Sequence, residues 1–447
     1  MFFRSSVMPL KEYKATVRID MRNISYCDAI RDTVAWWENE YGYVPAYVPE
    51  HARLPMNSLW YSFHQQLDVE QIIKECRLSK AIGMDTVIVD DGWQTDDNNR
   101  GYQFCGDWEV SSKKIPDMKD FVSRVHETGM KIMLWFSIPY VGVNAKSYKV
   151  FQDMLLDDPD GKRNYFSLDP RYKAVRDYLI GFYTKAVGEW GFDGLKLDFI
   201  DDFHLKGKSL EYDPRRDYQS LEAAIDTLLT DVTAALRAIN PEVLIEFRQT
   251  YIGPAIRKYG NMLRVFDCPN DALTNRQDTI NLRLTSGSTA VHSDMLMWNP
   301  DDPVENAALQ IVSVLYSVPQ ISVKLEILPE EHRKMLAFYL SFWRAHRDIL
   351  IDGMLYAENP ESAYSIMRAE KSGKAIFTCY TDTRIDCSSY LEVIAVNASR
   401  HSTLLLKGAD GKQYKVLDCV GNTIEAGTVK AALCEIEVPL SGMVCVQ

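Results

Sequence analysis

Aspartates recur in this chain at places where an apolar, β-rich run gives out. "TVIVDDGW" ends in Asp90 and Asp91, "GLKLDFIDD" carries Asp198, "MLRVFDCPND" reaches Asp267, and "VHSDMLMW" holds His292 and Asp294. Carboxylates gathered at the ends of buried strands can serve general acid–base catalysis, nucleophilic attack or the ligation of a hard cation. Asp198 gives the sharpest signal, because it lies inside the apolar run between Leu197 and Phe199. An ionised group there needs a partner or a task. Lys196, two residues earlier and so on the same side of an extended strand, is the partner that the spacing offers. Capping of a following helix accounts for Asp201, Asp202 and Asp271, and a plain cap or turn is the competing reading of Asp267 and of the Asp90–Asp91 pair. His292 reads as a core histidine as well as a site residue. Trp93, Trp108 and Trp135 are either core fillers or flat faces for the C–H side of a sugar. No His or Cys spacing suits zinc, and no metal is expected.

The elements that would position these groups alternate. Strand-like runs fall at Leu59–Phe63, Thr86–Asp90, Lys131–Phe136, Gly194–Phe199, Val243–Phe247, Met262–Phe266, Ser288–His292 and Gln320–Val323. Between them lie helical patterns. Leu221, Ile225, Leu228, Leu229, Val232, Leu236 and Ile239 form one stripe, and Asp68 with Gln71 makes a capping-box start to a helix that stops at Gly83. Eight alternations without a glycine-rich phosphate turn predict a (β/α)8 TIM barrel rather than a doubly wound sheet, with chemistry at the C-terminal ends of the strands. After Gly353 the helices vanish and short segments such as Ala375–Tyr380 and Leu391–Val396 alternate with turns. The division expected is 1–56 as an N-terminal extension, 57–350 as the catalytic barrel and 351–447 as an antiparallel β-sandwich domain. The extension mixes a β-like run, Lys14–Ile19, with a helical stretch around Asp28–Glu40.

Composition narrows the partners. Of 447 residues, 46% are hydrophobic and 25% charged, as in ordinary globular domains, and a net charge of -12 disfavours nucleic acid and anionic membranes. Nine scattered cysteines form no CxxC pair, and no signal-peptide pattern or apolar run of spanning length is visible, so a reduced, cytoplasmic setting is the expectation.

In this order, "IVDDGWQ", "GDWEV", "GMKIMLWF", "GLKLDF" and "AVHSDM" resemble the α-galactosidases of glycoside hydrolase family 36, over roughly Met56 to Arg347. The resemblance implies a barrel enzyme that works with retention and without a metal or other cofactor. It places the family's nucleophile on Asp198 and its acid/base on Asp267. By the same resemblance Asp90 and Asp91 hold sugar hydroxyls, Trp135 packs on the sugar, Lys196 bonds to ring hydroxyls, and Arg163 matches the family's arginine before its L-D-L segment. Three segments depart: Ile200 replaces an asparagine, "EFRQTYIGP" replaces a C-S-S-G-G-G-R loop, and "LWFSIP" replaces "LWFEPE". The first two fall where the family contacts the hydroxyl at carbon 2, which makes Arg248 and Gln249 candidate substrate contacts and predicts a remodelled pocket there. The family's large amino-terminal β-sandwich is also lacking, with residues 1–56 as its remnant.

The reading that results is a retaining hydrolase of terminal α-galactoside-type bonds, with Asp198 and Asp267 catalytic and Asp90, Asp91, Trp135, Arg163, Lys196, Arg248 and His292 binding substrate. Its partner is an α-linked oligosaccharide or glycoconjugate, and a homo-oligomer stays open. A galactosyltransferase of the raffinose-synthase kind and an α-N-acetylgalactosaminidase remain alternatives. So do a barrel lyase or isomerase with Asp90, Asp198 and Asp267 on Mg²⁺, and a carbohydrate-binding protein without catalysis.

Overall fold

A computed structural model describes residues 12, 14–159, 161–248 and 253–447. Its centre is eight short parallel strands: β1 (Met56–Ser58), β2 (Thr86–Val89), β3 (Lys131–Ser137), β4 (Gly194–Asp198), β5 (Leu244–Arg248), β6 (Met262–Arg264), β7 (Ala290–His292) and β8 (Gln320–Ile321). They neighbour one another in the order β8-β1-β2-β3-β4-β5-β6-β7. Main-chain bonds close the ring: Val318 donates to the Val291 carbonyl at 2.8 Å, and Ser293 donates to the Val318 carbonyl at 3.0 Å. The (β/α)8 barrel expected from the alternation is therefore present. The first strand lies upstream of the expected Leu59–Phe63, and residues Trp60–Phe63 form a helical turn instead. A short apolar run is compatible with either form, and pairing with β2 and β8 decides it.

The outer ring comprises α2 (Val69–Ala81), α3 (Met118–Glu127), α4 (Lys173–Gly188), α5 (Leu221–Ile239), α6 (Ala272–Thr285), α7 (Val304–Val312) and α8 (Glu330–Ala345), while α1 (Tyr26–Tyr41) precedes the barrel. Caps fall where polar residues precede the apolar stripes. The Asp68, Ser220 and Asp271 side chains accept from the backbone of Gln71, Ala223 and Thr274 at 2.9, 3.2 and 3.0 Å. Among the described residues, the crossing from β5 to β6 has no α-helix, only the 3-10 turn Ile256–Lys258. The N-terminal segment covers this place. Helix α1 packs on α6, Arg257 donates to the Tyr43 carbonyl at 2.9 Å and pairs with Glu38 at 3.3 Å, and Ala46 donates to the Arg257 carbonyl at 2.7 Å. The stretch Lys14–Ile19, expected to be β-like, belongs to no strand.

Inward-facing positions of the barrel divide by height. Met56, Ile88, Met133, Leu244, Met262 and Ala290 form an apolar floor, closed below by Ala52 from the 3-10 turn Glu50–Arg53. Two residues further along β3 to β7 come Trp135, Lys196, Glu246, Arg264 and His292, and Asp90 follows β2 at the corresponding step; two more bring Asp198 on β4 and Arg248 on β5. All are buried. The floor is thus an ordinary core and the layers above it are charged.

Beyond the barrel come β9 (Met354–Glu358), β10 (Ile366–Lys371), β11 (Lys374–Cys379), β12 (Arg384–Asp386), β13 (Glu392–Asn397), β14 (Thr403–Lys407), β15 (Gln413–Leu417), β16 (Thr423–Thr428), β17 (Leu433–Glu437) and β18 (Met443–Val446). They make a seven-stranded sheet, β9-β10-β11-β13-β18-β15-β16, and a three-stranded one, β12-β14-β17. Pairing is antiparallel except that β11–β13 and β12–β14 run parallel, where an all-antiparallel unit was expected. Alternation assigns the faces. Ala375, Phe377 and Cys379 pack with Leu404, Leu406 and Ile436 between the sheets, whereas Ile376 joins the core that continues into the barrel.

Gly92, just after β2, has φ +112°, and a Cβ there would stand 2.7 Å from the Gln65 backbone. Gly92→Ala should therefore lower stability by about 2–4 kcal/mol. Urea denaturation would measure this, and an unchanged midpoint would show that the loop gives way freely.

Candidate active site

Strand β4 ends on Asp198, with its carboxylate turned into the barrel and only 5% of the residue exposed. Three donors hold it. Trp135 Nε1 reaches Oδ2 at 3.0 Å, while Arg248 Nε at 2.6 Å and the Phe199 backbone N–H at 2.9 Å reach Oδ1. Phe199 adopts φ +65°, a left-handed conformation rare for an aromatic residue, so the chain turns under strain directly after the carboxylate. Burial pushes the Asp198 pKa up, but the charges of Arg248, Lys196 and Arg264 outweigh it and hold the carboxyl below its ordinary range.

Asp267 lies three residues past Arg264 and accepts from its Nη2 at 2.9 Å. Its side chain is 37% exposed, the most open of the cluster. Burial acts upward here too, yet Arg264, then Lys196 and Arg248, bring its pKa down to about 2. Arg264 is itself buried and also bonds Asp294 at 2.6 Å, with Glu246 at 3.8 Å. Asp294 takes two more bonds, from the Cys268 backbone at 2.7 Å and the Tyr61 hydroxyl at 3.1 Å. Asp294 and Glu246 move the other way from Asp267: being wholly enclosed, both are raised by burial more than Arg264 lowers them.

The pair after β2 splits. Asp90 receives Lys196 Nζ at 2.6 Å, both groups being buried. Asp91 is held by amides instead, Gln65 and Gln94 each at 2.7 Å, and burial raises it to about 6. Asp90, Asp198 and Asp267 thus each carry a different buried cation, Lys196, Arg248 and Arg264. This is not the shared, cation-free arrangement that an Mg²⁺ site among them would need.

Several expectations change. His292 has no exposure. One ring nitrogen lies 2.8 Å from the Ala52 carbonyl and the other 3.3 Å from Gln320, and burial lowers its pKa to about 4. It joins the charged layer to the floor and offers substrate nothing. Arg163 is exposed, 3.4 Å from Asp157 and over the Phe166 ring, and these contacts give it no part in the carboxylate cluster. Trp93 and Trp108 are core fillers: they stack on each other, and the Trp93 N–H bonds the Trp135 carbonyl at 2.9 Å. Trp135, 1% exposed, serves through its N–H on Asp198 more than through its face. Aromatic surface near Asp198 comes from Tyr102, Tyr140 and Phe199, whose ring centroids lie 4.8–5.1 Å apart. Asp202 accepts from the Tyr140 hydroxyl rather than capping a long helix. Gln249 lies outside the described residues; Arg248 is inside them, bonded to Asp198 and held between the Phe199 and Phe266 rings at 4.7 and 4.8 Å. Arg264 and Glu246 were not anticipated. Both are charged residues at inward positions of apolar strands, the pattern that singled out Asp198.

The melibiase family model matches residues 47–353. α-Galactosidase AgaA of Geobacillus stearothermophilus is 23% identical over 386 residues, covering 81% of this chain and 50% of that protein. α-Galactosidase Mel36A of Lactobacillus acidophilus is 33% identical over 129 residues, 27% of this chain and 16% of its own length. This chain thus spans about half the length of AgaA. A crystal structure of an AgaA variant with 1-deoxygalactonojirimycin superposes with a TM-score of 0.66 at 18% identity, covering 94% of this chain and 59% of that one, which establishes a shared fold. No helix of the described residues is long and apolar enough to cross a membrane.

The buried pair yields a test. Lys196→Met leaves Asp90 enclosed without its cation and should cost about 3–5 kcal/mol. Lys196→Met with Asp90→Asn should recover much of that loss. Denaturant titrations of the single and double variants measure it, and equal losses in both would deny that the pair is coupled.

Proposed function

The chain belongs to the melibiase family, and from that premise we propose that it hydrolyses terminal α-galactoside-type bonds with net retention. Asp198 attacks the anomeric carbon and Asp267 serves the leaving oxygen. The observation that carries this reading is Asp198 itself: an ionised carboxylate at a strand end, fixed by Trp135, Arg248 and a backbone N–H. A nucleophile needs to be charged and aimed, and these contacts favour both.

In the first step a bond forms between an Asp198 oxygen and the anomeric carbon while the carbon–oxygen bond to the aglycone breaks, with a proton passing from Asp267 to the leaving oxygen. In the second, water attacks the same carbon, Asp267 takes its proton and Asp198 departs. Asp90, Asp91 and Lys196, fixed by one another and by Gln65 and Gln94, are suited to read ring hydroxyls from the other side of the mouth.

Azide separates the roles. Asp198→Ala should lose turnover by several orders of magnitude and regain part of it with azide, giving a glycosyl azide of inverted configuration. Asp267→Ala should lose far less on nitrophenyl glycosides, whose leaving group needs no proton, than on oligosaccharides. Near-normal activity of Asp198→Ala would remove the assignment.

The state of Asp267 sets a pH dependence. In the ligand-free site it is held at about 2, so the protonated form needed for acid duty is scarce at neutral pH. For oligosaccharides kcat/KM should rise about tenfold per unit as pH falls from 7 towards 4, since that ratio reports free-enzyme protonation states. For a nitrophenyl glycoside that slope should be missing, Asp198 remaining ionised, and any change left is the protonation of Asp91 at about 6, which both substrates share. Parallel profiles for the two substrates would mean that Arg264 does not govern the acid.

A further inference from the structure

Arg248 keeps Asp198 charged and aimed, but for a neutral sugar its place also carries a cost. Its guanidinium is clamped between Phe199 and Phe266, it is 6% exposed, and Asp198 is the carboxylate it pairs with among the described residues. On the proposed path this cation suffers twice. At the transition state positive charge gathers on the anomeric carbon beside it, and like charges in a dry site repel. When the glycosyl ester forms, Asp198 ceases to be an anion, and Arg248 keeps no carboxylate in contact, only the more distant charge of Asp267. The other buried cations escape this, because Lys196 keeps Asp90, and Arg264 keeps Asp294 and Glu246, throughout the reaction.

A negative group on the substrate resolves both difficulties. It would take over the guanidinium as the Asp198 charge is spent, and it would lie beside the developing cation rather than against it. From a position 2.6 Å from the attacking carboxylate, Arg248 reaches substituents close to the anomeric carbon: that on carbon 2, and the carbon-6 group across the ring oxygen. Arginine suits either a carboxylate or a sulfate, since its planar fork matches two oxygens of each.

We infer that the sugar this pocket selects is anionic: a galactose-type residue bearing a carboxylate or a sulfate that pairs with Arg248. The inference rests on the glycosidase reading for its motive, but binding alone tests it. Galactose, galacturonic acid and galactose 2-sulfate would be titrated calorimetrically into the wild-type protein and into Arg248→Met, at low ionic strength. At least one anionic sugar should bind the wild type tenfold or more tightly than galactose, and which one it is tells carboxylate from sulfate. Arg248→Met, if its circular dichroism shows it folded, should lose that preference. Galactose binding the wild type as tightly as both anions overturns the inference whatever the variant does. So does a preference that survives in folded Arg248→Met. The two readings fail separately. Asp198-dependent cleavage of neutral galactosides without anion preference sinks only this inference, whereas anion preference without turnover of any α-glycoside sinks only the hydrolase.

Discussion

Arg264 lies inside the barrel, 1% exposed, with one amino group on Asp294 at 2.6 Å, another on Asp267 at 2.9 Å and Glu246 at 3.8 Å. No other group in the described structure answers to three carboxylates. Taking four charged groups out of water is costly, and the arrangement holds only because opposite charges sit within contact of one another. Without the guanidinium, Asp294 and Glu246 could stay enclosed only as neutral acids. The same cation also grades its neighbours. Asp267, partly open, is pulled down, while Asp294 and Glu246, wholly enclosed, remain raised. Depth beneath the mouth, as well as distance to Arg264, sets the direction in which each acid is shifted.

That gradation makes the barrel a layered object. Below, methionine, leucine and isoleucine side chains fill the tube as in any core. Above, the same inward positions carry ions, and each adjusts the next: Lys196 lies beside Glu246 on the neighbouring strand, and its charge reaches Asp198 and Asp267 as well. His292 and Gln320 form the seam between the layers, which is why a histidine in a site-like motif has a structural duty.

Much of this was legible in the residues. Short, continuous apolar runs marked the barrel strands within a few positions, because strands buried on both faces need apolar character throughout. A charge inside such a run marked Asp198 and Lys196, and the same rule, applied to "LIEFR" and "MLR", would have found Glu246 and Arg264. What sequence could not supply was partner choice. Lys196 was matched with Asp198 because they share a strand face, yet it bonds Asp90 on β2's side, and Arg248 takes Asp198. Such pairings depend on strand order and on how far each side chain reaches, and neither is written in local spacing. The tryptophans show a similar limit. Indoles beside acidic strand ends look alike in one dimension, but Trp93 and Trp108 are buried against Phe136, and Trp93 against Trp190 as well.

The gap between β5 and β6 bears on how the chain comes to be assembled. A barrel that wound a helix onto each strand in turn could consolidate by sequential additions, each between chain neighbours. Here α1, which precedes every strand of the barrel, has its seat on Arg257 and α6, more than two hundred residues later. Contacts of such sequence separation form slowly, since a long loop must close before any of them is rewarded. During synthesis this helix would therefore wait unseated while the strands from β1 to β5 emerge, with Cys27 and Val34, buried once it docks, still open to other partners. Its docking is the natural last act, and the turn it settles on leads back, along the chain, to the end of β5.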